Sequence, residues 1–520
     1  MRPFVPAGPP RFAHQLAGLR KIIENRGVGA LLYEPGTGKT AVALDYASLL
    51  ALKAPAPRHE ARVLVIAPLA AVDSWVSQSK VFVHEDVAVH AEALGGSIKQ
   101  RAARLVTLGP ASSSPTSRRK PERARPLATY DRPRTSDTQP LLTLVVVNLD
   151  TFSSRDAVTS TRTVADVVVD AVRDFAPDLV VVDESHRIKS ATSNVSRALA
   201  RLTKHAPRRI LLTGTVWPHS PLDTYGQWRF LDPTALGYNG RPATWSGFQS
   251  KYAQMGGWMG KQVVGYQNLD ELEKIMAKHA VVAKKTDVLD LPPVTDVTVP
   301  ITLSPRESKA YEDMKTQLAA QLADGSLLAV PNRLAQMMRL RQITSGYLPD
   351  NAGQPQQLGS SKVAAIKSLV QDSLVGEKRV VVFSHFRHEI GQIAQALADR
   401  NTEVVTISGD TPPEERAAIR ERFGPNGPQD QRIVMVAQLR TMSLAVNELV
   451  SASHAVFASL SQQRDDYEQA RARLDRQGQL KPVTMWHVVA PGTVDEVILQ
   501  SHRDRTDLEG AMLDYIRGGQ

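Results

Sequence analysis

The chain has 520 residues, too many for one hydrophobic core, and its 42% apolar content is ample for two to four packed domains. It contains no cysteine, which excludes disulfides, thiolate metal sites and cysteine nucleophiles. The net charge is +10, and ten basic residues between Ser97 and Thr135, opposed only by Glu122 and Asp131, carry +8 of it. A polyanion partner is therefore indicated, chiefly through one segment. No apolar run approaches the roughly 18 residues of a membrane span. Met1 to Pro10 lacks a charged-then-apolar leader, so a cytoplasmic location is expected.

Phe12, His14 and Gln15 precede an apolar-periodic helix. Gln15 either reads an adenine edge through its amide or opens a solvated helix. Ala30 to Leu32 is an apolar run that feeds Tyr33-Glu34-Pro35-Gly36-Thr37-Gly38-Lys39-Thr40, and Thr40 to Leu52 reads as a helix. A strand, a glycine turn and a helix N-terminus make an anion site, because backbone N–H groups and the helix dipole both favour negative charge there. Gly36 and Gly38 let the backbone close around phosphates with no Cβ in the way. Lys39 suits the β- and γ-phosphates, and the Thr40 hydroxyl suits Mg2+. The strict P-loop spacing asks for glycine where Tyr33 stands.

Arg62 to Pro68 reads as a β-branched strand, with Trp75 beyond it. Residues 109–140 are rich in Pro, Ser, Thr and Arg, cannot bury enough apolar surface to offset ordering, and are expected to be a disordered insert. Its arginines either touch nucleic acid or stay solvated. Leu141 to Val147 resumes as a strand, and Asp178 to Asp183 is another that closes on Asp183-Glu184-Ser185-His186. An apolar strand that delivers two carboxylates downstream of a P-loop suits phosphate chemistry. Asp183 is assigned to the metal and Glu184 to the attacking water; the alternative is a helix N-cap pair. Arg209 to Leu212 is a further strand, followed by Thr213-Gly214-Thr215.

Trp217 to Asp290 reads as helical and aromatic, and Leu291-Pro292-Pro293 breaks the pattern. A strand is expected over Val297 to Leu303 and a helix over Pro305 to Leu322. After Gly359-Ser360-Ser361-Lys362 a second α/β set begins, with strands over 379–383, 403–407, 432–436 and 455–457 and no P-loop of its own. It ends in Gln469-Ala470-Arg471-Ala472-Arg473-Leu474-Asp475-Arg476-Gln477-Gly478-Gln479. Arg473 and Arg476 are three apart, so on a helix they project from one face. Two guanidiniums suit a triphosphate whose charge grows in the transition state; the alternative is a solvated basic helix.

Taken in order, these pieces resemble the Swi/Snf-type ATPases of helicase superfamily two. The matching segments run from Gln15 through Gly36–Thr40, Ala67-Pro68, Asp183–His186 and Leu212–Thr215. They continue through Ala283–Val288, Leu291–Pro293 and Val382–Ser384 to Gln469–Gln479. The resemblance implies an α/β fold of two RecA-like parallel-sheet lobes in tandem with an ATP cleft between them. Lobe one would span 1–235, a helical insertion and hinge 236–300, lobe two 301–486 and a C-terminal brace 487–520.

The resemblance further implies ATP and Mg2+ as cofactors. Gln15, Gly36, Thr37, Gly38, Lys39, Thr40 and Gln469 would bind nucleotide, and Thr40 and Asp183 metal. Lys39, Glu184, Arg473 and Arg476 would be the catalytic set. The implied partner is double-stranded DNA held through its phosphates, with the protein acting as a monomeric translocase. The alternatives are a strand-separating or branch-remodelling helicase, and a DNA-binding scaffold whose ATPase has decayed. Arg440–Asn447 departs from the family's glycine-rich stretch, with only Asn447 matching, and Pro218-His219-Ser220 differs from the family's turn. With no appended reader domain in the sequence, a bacterial or bacteriophage motor is the expected source.

Overall fold

The computed structural model describes residues 2–55, 58–110, 129–130, 139–154, 157–159, 162–214, 220–257, 262–323, 330–350, 352–441, 448–504 and 508–516. Most of the basic insert, Thr215 to His219, and Met442 to Asn447 lie outside these residues.

The chain divides into two compact units, Met1–Leu289 and Asp290–Gln520. Residues 236–300, expected as insertion and hinge, fall on both sides of that division. The first unit is built on seven parallel strands: β1 (Val28–Tyr33), β2 (Glu60–Ala67), β3 (Ala88–Ala93), β4 (Leu141–Asn148), β5 (Leu179–Asp183), β6 (Arg209–Thr213) and β7 (Ala280–Ala283). Their order across the sheet is β7-β1-β6-β5-β2-β4-β3, parallel at every step. Both faces are covered: Leu64, Ile66, Val180 and Val182 enter one core, and Val63, Val65, Leu179 and Val181 the other. A strand buried on both faces must be apolar at every position, which is why these segments read as unbroken β-branched runs.

The second unit carries six parallel strands: β8 (Val294–Pro300), β9 (Arg379–Ser384), β10 (Thr402–Ile407), β11 (Arg432–Gln438), β12 (His454–Phe457) and β13 (Val483–Val489). Their order is β8-β13-β12-β9-β11-β10. Again alternate residues divide between two cores, Val381 and Phe383 on one face and Val380 and Val382 on the other. The expected α/β class, two parallel-sheet units in tandem, is the observed one.

Two elements differ from expectation. The strand expected over Val297 to Leu303 begins three residues earlier, at Val294, because its register with β13 runs from Val294 opposite Val483 to Pro300 opposite Val489. The region read as helical after Trp217 also holds an antiparallel hairpin, Ala253–Gly256 with Gln262–Tyr266, and contributes β7 to the first sheet. Its aromatics Trp228, Phe230, Phe248 and Tyr252 are core residues. No helix among the described residues is long and apolar enough to cross a membrane.

Candidate functional site

Strand order assembles the first unit's site. β1, β6 and β5 are neighbours, so their carboxyl ends place the glycine loop, Thr213-Gly214 and Asp183-Glu184 side by side along one sheet edge. In open parallel sheets that edge is where ligands bind.

The loop after β1 turns on Gly36 (φ 88°) and Gly38 (φ 89°), a left-handed region that favours glycine. Gly38 is the N-cap of α2 (Lys39–Leu52), so the helix starts at the lysine itself. Lys39 is buried, and its Nζ donates to the Tyr33 carbonyl at 2.8 Å. Thr40 follows on the first turn, half-buried. The Thr37 hydroxyl donates to the Glu34 carbonyl at 2.7 Å and closes the turn.

Gln15 sits in the first turn of α1 (Ala13–Glu24) and touches this loop directly. Its Nε2 donates to the Thr37 carbonyl at 3.0 Å, and its Oε1 accepts the Phe12 N–H at 3.0 Å. A Cβ on Gly38 would lie 2.1 Å from that Nε2, so the amide occupies room that only glycine leaves open. Gln15 thus braces the loop. His14 Nε2 meets the same Thr37 carbonyl at 2.9 Å.

Tyr33, at the position where strict spacing wants glycine, is fully buried. Its hydroxyl donates to the His14 carbonyl at 2.6 Å. The ring fits because Gly18 of α1 has no side chain: a Cβ there would stand 2.2 Å from the Tyr33 oxygen. The missing loop glycine and the helix glycine are therefore one packing solution.

β5 ends in Asp183, buried, with a carboxylate held at both oxygens. Trp75, from α3 (Val72–Phe82), donates its indole N–H to Oδ2 at 2.9 Å, and the Glu184 N–H donates to Oδ1 at 3.0 Å. Burial pushes the Asp183 carboxyl up and the neighbouring Glu184 charge adds to the rise, while Trp75 and Lys39 oppose it. Glu184 adopts φ 48°, ψ 53°. A non-glycine residue there costs about 1–2 kcal/mol, and such strain is a feature of functional positions. The bend turns Glu184 off the strand line toward His186, whose Nδ1 lies 3.4 Å from Oε2 and 3.0 Å from the Thr213 hydroxyl. Glu184 heads only a four-residue turn, Ser185–Ile188, and its side chain makes no cap hydrogen bond there.

The structure brings together Gln15, Gly36, Thr37, Gly38, Lys39, Thr40, Asp183 and Glu184 within the first unit. Gln469, Arg473 and Arg476 belong to the second. There α4 (Arg464–Leu474) carries Gln469 and Arg473, both half-buried. The expectation that Arg473 and Arg476 share a helix face is corrected: the helix ends at Leu474, Asp475 leaves helical geometry (φ −85°, ψ 81°), and Arg476 lies in the turn beyond.

Sequence reasoning assigned no role to Trp75 or Glu34. Glu34 Oε2 accepts the Lys285 N–H at 2.7 Å, and its own N–H donates to the Ala283 carbonyl at 3.0 Å. No local pattern signals a contact 251 residues away. Among the described residues no group of three or more His, Asp or Glu could hold a metal alone. The donors present instead suit Mg2+, which takes one or two protein oxygens and completes its shell with substrate phosphates and water.

The description "SNF2-related domain" matches residues 14–346, and "Helicase conserved C-terminal domain" matches residues 361–478. The chain is 26% identical over 357 residues to human "DNA annealing helicase and endonuclease ZRANB3", covering 67% of this chain and 31% of that protein. It is 26% identical over 349 residues to human "SWI/SNF-related matrix-associated actin-dependent regulator of chromatin subfamily A member 1", covering 65% of this chain and 32% of that one. The chain thus spans about a third of the length of these curated relatives. A solved structure described as "Sulfolobus solfataricus SWI2/SNF2 ATPase core in complex with dsDNA" aligns over 99% of this chain and 97% of that one, at 19% identity and a TM-score of 0.39.

Proposed function

The chain belongs to the SNF2-related family, and from that premise we propose that it is a DNA-stimulated ATPase that moves along double-stranded DNA. The observation that carries the reading is the single sheet edge where the Gly36–Thr40 loop and Asp183-Glu184 stand on adjacent strands. Their donor set fits a magnesium nucleotide: loop N–H groups and Lys39 for the phosphates, the Thr40 hydroxyl and the Asp183 carboxylate for the metal.

In this proposal water attacks the γ-phosphorus of ATP, the bond to the β,γ-bridging oxygen breaks, and ADP leaves. Glu184 orients the water and takes its proton. Lys39 offsets charge on the β- and γ-oxygens. Mg2+, when bound, neutralises charge on those same oxygens. Arg473 and Arg476 of the second unit stabilise the charge that grows on the transferred group. Family membership supports DNA as the partner, gripped at its phosphates, and the basic residues near 97–135 supply charge for it.

The test is steady-state ATP hydrolysis with no nucleic acid, duplex DNA, single-stranded DNA or RNA. Strong stimulation by duplex is the expected result. A response confined to single strands or forks would instead favour strand separation or branch remodelling, a reading suggested by the name of the annealing-helicase relative. Flat rates in all four conditions would overturn the motor reading.

Trp75 supplies a second check. Its indole N–H fixes the carboxylate proposed to hold the metal, and losing such a partner typically weakens metal affinity 10–100-fold. Trp75→Phe, which keeps most of the ring, is expected to raise the Mg2+ concentration for half-maximal ATPase about tenfold. An unchanged magnesium titration would remove Asp183 from the metal site.

A further inference from the structure

The segment that presents Arg473 and Arg476 is pinned at both ends. At its far end Gln479 is buried, its Nε2 donating to the Ala452 carbonyl at 2.9 Å and its Oε1 accepting the N–H groups of Leu480 and Lys481, each at 3.0 Å. At the near end Arg471 forks onto Asp296: Nη2 donates to Oδ2 at 2.9 Å and Nη1 to Oδ1. Arg473 and Arg476 are the arginines between these two anchors.

Arg471 is a hub rather than a surface charge. Its Nη1 also donates to the Tyr467 hydroxyl at 2.9 Å, and that hydroxyl meets His487 Nε2 of β13 at 2.9 Å. Burial holds the His487 imidazole well below its usual range, down to about 4, so the ring is neutral at pH 7. The network ties α4 to β8 through Asp296 and to β13 through His487, and β8 and β13 are paired neighbours. Arg503 donates to Thr298 two residues along β8, at 3.2 Å, and its charge also acts on Asp296. One carboxylate thus stands among two guanidiniums.

We propose that Asp296 is the positioning residue for the transition-state arginines: through Arg471 it sets where α4 ends and hence where Arg473 and Arg476 stand. Asp296 touches no reacting atom. It lies on β8, the first strand after the division at Leu289 and Asp290, so the chain leaving the nucleotide-binding unit runs directly into the strand that holds the arginine segment. The inference rests on the arginine assignment made under the proposed function.

Asp296→Asn keeps the size and one acceptor but removes the charge and the fork. A misplacement of about 1 Å costs roughly 10²-fold in rate, so kcat for duplex-stimulated hydrolysis is expected to fall 10- to 100-fold, with KM for ATP and duplex affinity unchanged. Asp296→Glu, which restores the charge, is expected to recover most of the rate. Placed in an Arg473→Ala, Arg476→Ala background, Asp296→Asn should cost nothing further, since it acts only through those two arginines. A wild-type kcat in Asp296→Asn overturns the proposal. So does a loss that adds fully to that of the double arginine variant, or one accompanied by weaker ATP binding, since either means a general packing role. If Arg476→Ala and Arg473→Ala themselves hydrolyse at the wild-type rate, the arginine assignment fails first.

Discussion

Replacing Arg476 with alanine is expected to lower kcat for DNA-stimulated hydrolysis about 10³- to 10⁵-fold, the range for an arginine that meets the transferred phosphoryl group. KM for ATP should change little, because the Gly36–Thr40 loop and Lys39, proposed to hold ground-state nucleotide, belong to the other unit. Arg476→Lys should recover little, since an ammonium cannot present two parallel donors to phosphate oxygens. Arg476 stands in a turn beyond the end of α4, so the substitution removes no helical interior residue. The measurement is kcat and KM at saturating duplex. A drop of less than about tenfold would show that the guanidinium does not reach the reacting phosphate.

Glu184→Gln is expected to slow hydrolysis about 10²- to 10⁴-fold, the usual contribution of a positioned general base, while ATP still binds. Glutamine keeps the length of the side chain and the backbone N–H that holds Asp183. It loses the ability to take a proton and the negative charge beside Asp183. The variant should therefore retain labelled ATP through a single-turnover chase in which the wild type releases ADP. Hydrolysis at the wild-type rate would move the base elsewhere; His186, whose Nδ1 lies 3.4 Å from the Glu184 carboxylate, is one other proton acceptor there.

Much of this arrangement was legible in the sequence because the parallel strands advertise themselves. Val63 to Ile66, Leu179 to Val182 and Val380 to Phe383 are buried on both faces and admit no polar interruption. The phosphate loop and the acidic pair are local: their chemistry depends on residues next to one another in the chain. What stayed hidden depends on tertiary approach or on weak punctuation. β3, at an edge of the sheet, is only half-buried and includes His90 and Glu92. β7 is four residues long and owes its existence to pairing with β1. Helix α4 ends at Leu474, before the glycine at 478 that would have marked a stop. Trp75 on Asp183, and Asp296 on Arg471, join residues more than a hundred positions apart. The altered stretch at Met442–Asn447 lies outside the described residues, so its departure from the family pattern stays a matter of sequence.

The neighbours of β1 in the sheet have a consequence for the birth of the protein. The strand that leads into the phosphate loop pairs with β6 and β7, which begin at Arg209 and Ala280, and not with β2. At the usual pace of roughly 5–20 residues per second, a ribosome that has finished β1 needs on the order of ten seconds or more before it completes the first of these partners. Throughout that interval a strand apolar on both sides waits without its ladder, and Glu34 at its end lacks its Ala283 and Lys285 partners. Completion of this sheet edge is thus a late event in synthesis, and a chain released before β7 emerges would lack one of the two partners of β1.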